Sequence, residues 1–225
     1  MKKMLFVAVI VVLISSTAIA QDFPKAEVFG GYSLAKVSGD AGDIIDLVGN
    51  ELSPLGSAST WLKMGFMGSV TFNINEYFGI EGNFSYHRDD VAELNASFDG
   101  ESINAKVKGD SFNFMAGPHV AYRENEMIAP FGHFLLGVNS VKLCGECTGS
   151  LCEDLPEELE VVDMTDRDAS LAFAFGGGLD LNVSESFAIR AIEFDYILSN
   201  HGEGGYDFSV NYVTLSFGAV FKIGD

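Results

Sequence analysis

With 225 residues the chain has room for one ordinary β domain, and its formal net charge of −19 excludes the basic footprint that nucleic-acid binding needs. Beyond its first residues no run of about 18 apolar side chains occurs, which excludes a transmembrane helix.

Residues 1–20 read as a secretory signal peptide: Lys2-Lys3, an apolar run from Met4 to Ile14, then Ala18-Ile19-Ala20 before Gln21. The run is short for a retained membrane anchor, and no cysteine follows the cleavage site for lipoprotein processing. Residues 21–225 form one domain. Lys25–Lys36 alternates with Val28, Gly30, Tyr32 and Leu34 on one face. Residues 37–60 read as a loop containing Pro54. The hairpin Trp61–His87 sets the pattern for the rest. Leu62, Met64, Phe66, Gly68, Val70, Phe72 and Ile74 share one face; Trp61, Lys63, Gly65, Met67, Ser69, Thr71 and Asn73 share the other. After the tight turn Asn75-Glu76-Tyr77, Phe78, Ile80, Gly82, Phe84 and Tyr86 oppose Gly79, Glu81, Asn83, Ser85 and His87. Both strands reach the length of about 9–11 residues that crosses a bilayer.

Residues 88–110 are polar, with six acids, and read as a loop. Ser111–Arg123 alternates again, and Pro118 within it predicts a bulge or a locally unpaired position. In Ala129–Lys142, Pro130, Gly132, Phe134, Leu136 and Val138 alternate with Phe131, His133, Leu135 and Gly137; both faces are apolar, so the alternation leaves its phase open. The longest and most acidic loop spans 143–168. Ala169–Val183 alternates cleanly, and Ser184-Glu185-Ser186 turns the chain. In Phe187–Ser199, Arg190 and the pair Glu193/Asp195 have opposite parity; a bulge near Ala191-Ile192 would turn all three inward. A short Gly-rich loop, 200–207, precedes the last strand, 208–223.

The sum is an all-β chain: an eight-stranded antiparallel up-and-down transmembrane β-barrel with tight inner turns and long acidic outer loops. Aromatics fall where interfaces should lie: Tyr77, Phe78, Tyr122, Phe187 and Phe221 at the periplasmic rim, Trp61, Tyr86, Phe112 and Tyr196 at the outer rim. The inward face is made of small residues, as in a narrow barrel filled by side chains. A soluble lipocalin-like barrel is the rival; its water face would then be Gly, Ala, Ser and Asn.

VFGGYS (28–33), APFGHFLLGV (129–138), IRAIEFDYILS (189–199) and LSFGAVFKI (215–223) carry a resemblance to small bacterial outer-membrane β-barrels of the OmpA transmembrane-domain type. That resemblance implies a monomer in the outer membrane. Its partners would be outer-membrane lipid, lipopolysaccharide and the assembly machinery that reads the C-terminal strand. Many such proteins finish on an aromatic residue; here Phe221 is followed by Lys222-Ile223-Gly224-Asp225.

Glu27, Lys63, Glu81, Asp180, Arg190, Glu193 and Asp195 are expected to point into the lumen. Unpaired charge is costly there, so these residues should pair into a structural plug, with an ion or proton path as the alternative. His87, His119 and His133 fall in the lumen or at its rim without nameable partners. Cys144, Cys147 and Cys152 share the third outer loop; an oxidising compartment predicts one disulfide and one thiol left over, and Zn²⁺ binding is the alternative. The acids of 153–168 lack EF-hand spacing and read as solvated charge rather than a Ca²⁺ site. Some barrels of this size are lipid A-modifying enzymes with His two residues before Ser. Here Ile197 precedes Ser199, and His201 with Glu203 follows it. No phosphate loop or serine-hydrolase elbow occurs. The expected role is structural or surface-interactive, without cofactor or catalysis; a conduit for small solutes or hydrophobes is the alternative.

Overall fold

The alternating segments become strands that close on themselves. The computed structural model describes residues 23–224 apart from 54–55, 99–100, 149, 151, 153–160, 164–167 and 204–205; the expected leader lies outside the described residues. The barrel strands are β1 (Ala26–Ser38), β2 (Met64–Asn73), β3 (Phe78–Phe98), β4 (Glu101–Ala121), β5 (Ile128–Thr148), β6 (Asp168–Ser184), β7 (Phe187–Glu203) and β8 (Asn211–Ile223). Each pairs antiparallel with its sequence neighbour. β8 returns to β1, from Ala26 opposite Ile223 to Ser38 opposite Asn211. Closure leaves the barrel wall without an unpaired edge. The large apolar side chains face out, with Phe72 63% exposed and Phe114 57%, while Glu81, Asn83 and Ser85 are buried inside. A soluble barrel would reverse these faces, so the lipocalin-like alternative fails.

Tight turns end the hairpins at one rim. Asn75 Oδ1 accepts from the amides of Tyr77 and Phe78 at 2.9 and 2.8 Å. Asn125 Oδ1 does the same for Met127 and Ile128 at 2.8 and 3.1 Å. An Asn side chain that mimics a backbone acceptor is what such short turns require.

The opposite end departs from the expected loops. β3 and β4 run on through 88–110 as a long hairpin. Its charges pair across strands: Lys106 reaches Glu93 at 2.9 Å and Asp90 at 3.7 Å, and Lys108 reaches Glu146 at 2.7 Å. Opposite charges facing one another suit a solvated strand pair as well as a loop, so polarity alone misled. Segment 143–168 is likewise partly strand, with Val161–Asp163 pairing Cys144–Glu146. Tyr206–Ser209 pairs with β7, replacing most of loop 200–207. Within 37–60 the chain forms a helix, α1 (Asp40–Leu52), not a loop.

Lys63 is a second correction. Trp61–Leu62 pairs with Lys36 and Ala35, but from Phe66 opposite Tyr32 onward the register has moved by one residue. The unpaired residue is Lys63, whose amide donates to Asp89 Oδ2 at 2.9 Å and whose carbonyl accepts from the Tyr32 hydroxyl. A one-residue slip exchanges faces. Leu62 is therefore buried, and Lys63 is exposed and outside the lumen. By contrast, the register of β7 shifts between Arg190 and Glu193 where a bulge was expected, and Arg190, Glu193 and Asp195 all point inward. Pro118 leaves Gly117 and itself out of the β4–β5 ladder without moving the register.

β4 and β5 come close where glycines line them. A Cβ on Gly137 would sit 2.0 Å from the Phe114 carbonyl oxygen, whereas one on Gly82 would meet nothing within 4 Å. Gly137→Val should cost about 1–3 kcal/mol or more through overpacking, and Gly82→Ala should be tolerated. Urea midpoints of the folded-to-unfolded gel shift would check the pair; equal midpoints would contradict this packing.

Candidate functional site

The lumen is filled in layers, read here from the tight-turn rim outward. At the rim, Glu27 accepts from Arg123 Nη2 at 3.1 Å, and the same nitrogen donates to Asn73 Oδ1 at 3.0 Å. Arg123 Nη1 also donates to the Glu76 carbonyl at 2.7 Å, so one guanidinium ties the turn to the lumen wall.

Above it lies the central cluster, carried by β3, β4, β5, β6 and β7. Arg190 is 2% exposed. It donates to both Asp180 oxygens at 2.8 and 3.1 Å and to Glu193 Oε2 at 3.0 Å. The rings of Phe29 and Phe131 lie over its guanidinium carbon at 4.5 and 4.0 Å. Glu81 Oε2 sits 2.7 Å from His119 Nδ1 and 3.1 Å from His133 Nδ1. His133 Nε2 is 2.6 Å from Asp195 Oδ1. Thus six of the seven expected charges lie inside, five of them in one connected cluster with Glu27 near the rim, and Lys63 is absent from it. The sequence reading missed the partners His119, His133 and Arg123. A signal was present for His119, which falls on the inward parity of its strand, and the register sets His133 directly opposite it.

The next layer is neutral. Asn139 Nδ2 donates to Asn113 Oδ1 at 2.7 Å, and Asn113 donates to Ser85 Oγ at 3.1 Å. Ser199 donates to Asn139 Oδ1 at 3.2 Å and to the Val210 carbonyl. His87 Nε2 meets Ser33 Oγ at 2.8 Å. Ser199 is a buried structural hydroxyl in this geometry; the side chains of His201 and Glu203 lie outside the described residues.

Over this plug opens an apolar chamber of about 300 Å³. Leu62, Val91, Val107, Val141, Leu143, Val210 and Tyr212 line it together with Asp110 and Ser111, and α1 contributes Ala41, Ile44, Ile45 and Val48. Those helix positions repeat at i, i+3, i+4 and i+7, the spacing of one helical face. α1 begins with Asp40 and Asp43, which suit the positive end of the helix dipole. Asp40 is also its tether: Oδ2 accepts from the Ser209 amide at 3.0 Å and from its hydroxyl at 2.8 Å. These two bonds, the backbone one first, hold the Asp40 carboxyl below its usual range. A depressed carboxylate stabilises the fold above its unfolded-state value, and that stabilisation is lost as pH falls through the lower folded value. The amides of α1 should therefore keep high protection, measured against their intrinsic exchange rates, at neutral pH and lose it only in strong acid. Asp40→Ala should bring fast exchange to neutral pH; unchanged exchange would show that Asp40 is not the tether.

At the outer end Cys147 and Cys152 form a disulfide with Cα atoms 6.0 Å apart, and Cys144 stays outside it. The acids 153–160 and 164–167, weighed for Ca²⁺, lie outside the described residues.

A family model described as the outer membrane protein beta-barrel domain matches residues 5–221. No curated protein matches the chain. Among solved structures the chain is similar to Ail, the attachment invasion locus protein of Yersinia pestis, at 19% identity and a TM-score of 0.45, covering 88% of this chain and 99% of that one. It is also similar to neisserial surface protein A, at 14% identity and a TM-score of 0.45 over 88% and 97% of the two chains. The outer membrane protein OprG from Pseudomonas aeruginosa aligns at 11% identity and a TM-score of 0.45 over 91% and 98%.

Proposed function

The chain belongs to the outer-membrane β-barrel domain family and resides in the bacterial outer membrane; from that premise we propose that it is a plugged barrel that holds a small apolar molecule at the cell surface. The chamber carries this reading. It lies at the end away from the tight turns, which such barrels place in the periplasm, so it faces the exterior. Ligand pockets span about 300–1,000 Å³, so this one suits a single small molecule. Most side chains lining it are aliphatic, with Asp110, Ser111 and Tyr212 the polar exceptions, so shape and apolar contact would choose the occupant. Beneath it the charged and neutral layers close the lumen, which argues for a binding cup rather than a through-pore. This gives the expected surface-interaction role a ligand class. Ser199 donates to Asn139 and Val210, which supports a structural hydroxyl over a lipid-modifying nucleophile.

On this reading the leader is removed after Ala20 and residues 21–225 fold as a monomer. Membrane lipid and lipopolysaccharide surround the aromatic belt, and β8, with Phe221 and Ile223 near its end, is presented to the assembly machinery. The test is fluorine NMR of a fluorinated benzene added to the protein in lipid nanodiscs, against empty nanodiscs. A saturable bound resonance present only with the protein is expected. Partitioning identical to that of empty nanodiscs would overturn the proposal.

A further inference from the structure

The central cluster contains a set of donor atoms that hydrogen bonding alone leaves incomplete. His133 faces a carboxylate at both ring nitrogens, Glu81 at 3.1 Å and Asp195 at 2.6 Å. A neutral imidazole has one N–H, so it serves only one of them as a donor. Glu193 Oε1 is buried without a hydrogen-bond partner, although Oε2 is fixed by Arg190. That orphan oxygen points to His133 Nδ1 at 4.0 Å. Glu81, His119 and His133 each offer a donor atom, all within 4.8 Å of one another. The same cluster holds four carboxylates, Glu81, Asp180, Glu193 and Asp195, against the guanidinium of Arg190 and at most two imidazolium rings, those of His119 and His133. An interior closed to water does not tolerate that imbalance.

We infer that the lumen of this barrel is a binding site for one divalent transition metal of the Zn²⁺ class, ligated by Glu81, His119 and His133. Two imidazole nitrogens and one carboxylate make a three-ligand set that zinc takes with its fourth position left open. The ion takes the lone pair of His133 Nδ1, which fixes the proton on Nε2 and directs it to Asp195. A metal-bound histidine donating its other N–H to a carboxylate is the usual outer support of such sites. Asp195 is held in turn by Thr214 Oγ1 at 3.3 Å. The His119 ring is stacked on Phe131 with centroids 5.2 Å apart, which sets its plane. The ion offsets much of the excess negative charge around the buried Glu193 Oε1. It also ties β3, β4 and β5 together from within, a role separate from the apolar chamber above.

The experiment uses the full-length protein folded in detergent, stripped with chelator and dialysed against micromolar Zn²⁺. Elemental mass spectrometry should then find about one zinc per chain. Co²⁺ in its place should give the visible absorption bands of a tetrahedral nitrogen–oxygen site. The double variant His119→Ala/His133→Ala should lose both signals, and Asp195→Asn should bind zinc about 10–100-fold more weakly. The cobalt spectrum of the unaltered protein needs no variant to fold. Background zinc and no tetrahedral spectrum in that protein would overturn the inference. So would full zinc retention by the double histidine variant, which would place the metal on the outer acids or Cys144.

Discussion

Arg190→Met should destabilise the folded barrel by roughly 3–5 kcal/mol, the cost of breaking a buried ion pair from one side. The guanidinium bridges Asp180 and Glu193 and is stacked between Phe29 and Phe131, with no route to bulk water. Methionine keeps the apolar contact with the two rings but leaves two carboxylates without their cation. The loss therefore comes from stranded charge rather than lost volume. Adding Asp180→Asn and Glu193→Gln should recover most of it, because neutral amides fill the same space without the charge. The urea midpoint of the folded band on a gel reads both variants. A loss below about 1 kcal/mol, the size of an exposed pair, would mean that water already serves these acids.

Leu62→Asp should weaken binding of the small apolar ligand at least tenfold, about 1.4 kcal/mol, while the folded gel band persists. Leu62 is 2% exposed and lines the chamber. A carboxylate there retains its hydration and brings water into a space now lined by aliphatic carbon. The fold should survive because Leu62 lies where β1 pairs only briefly with Trp61–Leu62, outside the continuous ladder that begins at Met64. Fluorine NMR titration of the variant beside the parent protein gives the ratio. Equal affinity would place the ligand elsewhere.

Barrel, strand number and the β7 bulge were legible because each rests on parity, and parity survives folding. Arg190 against Glu193 and Asp195 could share a face only if one residue were added, and the register shift lies there. The same logic failed at Lys63 because the slip between Leu62 and Met64 leaves no mark in the alternation; its causes are the distant side chains of Asp89 and Tyr32. α1 was hidden by glycine and aspartate within 37–60, although Ala41, Ile44, Ile45 and Val48 already carried helical spacing. Its apolar face makes sense only once the barrel mouth is there to receive it. The lumen charges were readable one by one, but the partnership of Glu81 with two histidines depends on which strands meet across the barrel.

Planar-bilayer recording of the purified native monomer is the most direct test of a chamber set over a closed lumen. The layered plug predicts no discrete openings above the bare-bilayer baseline. Steady single-channel conductance from that monomer would contradict it.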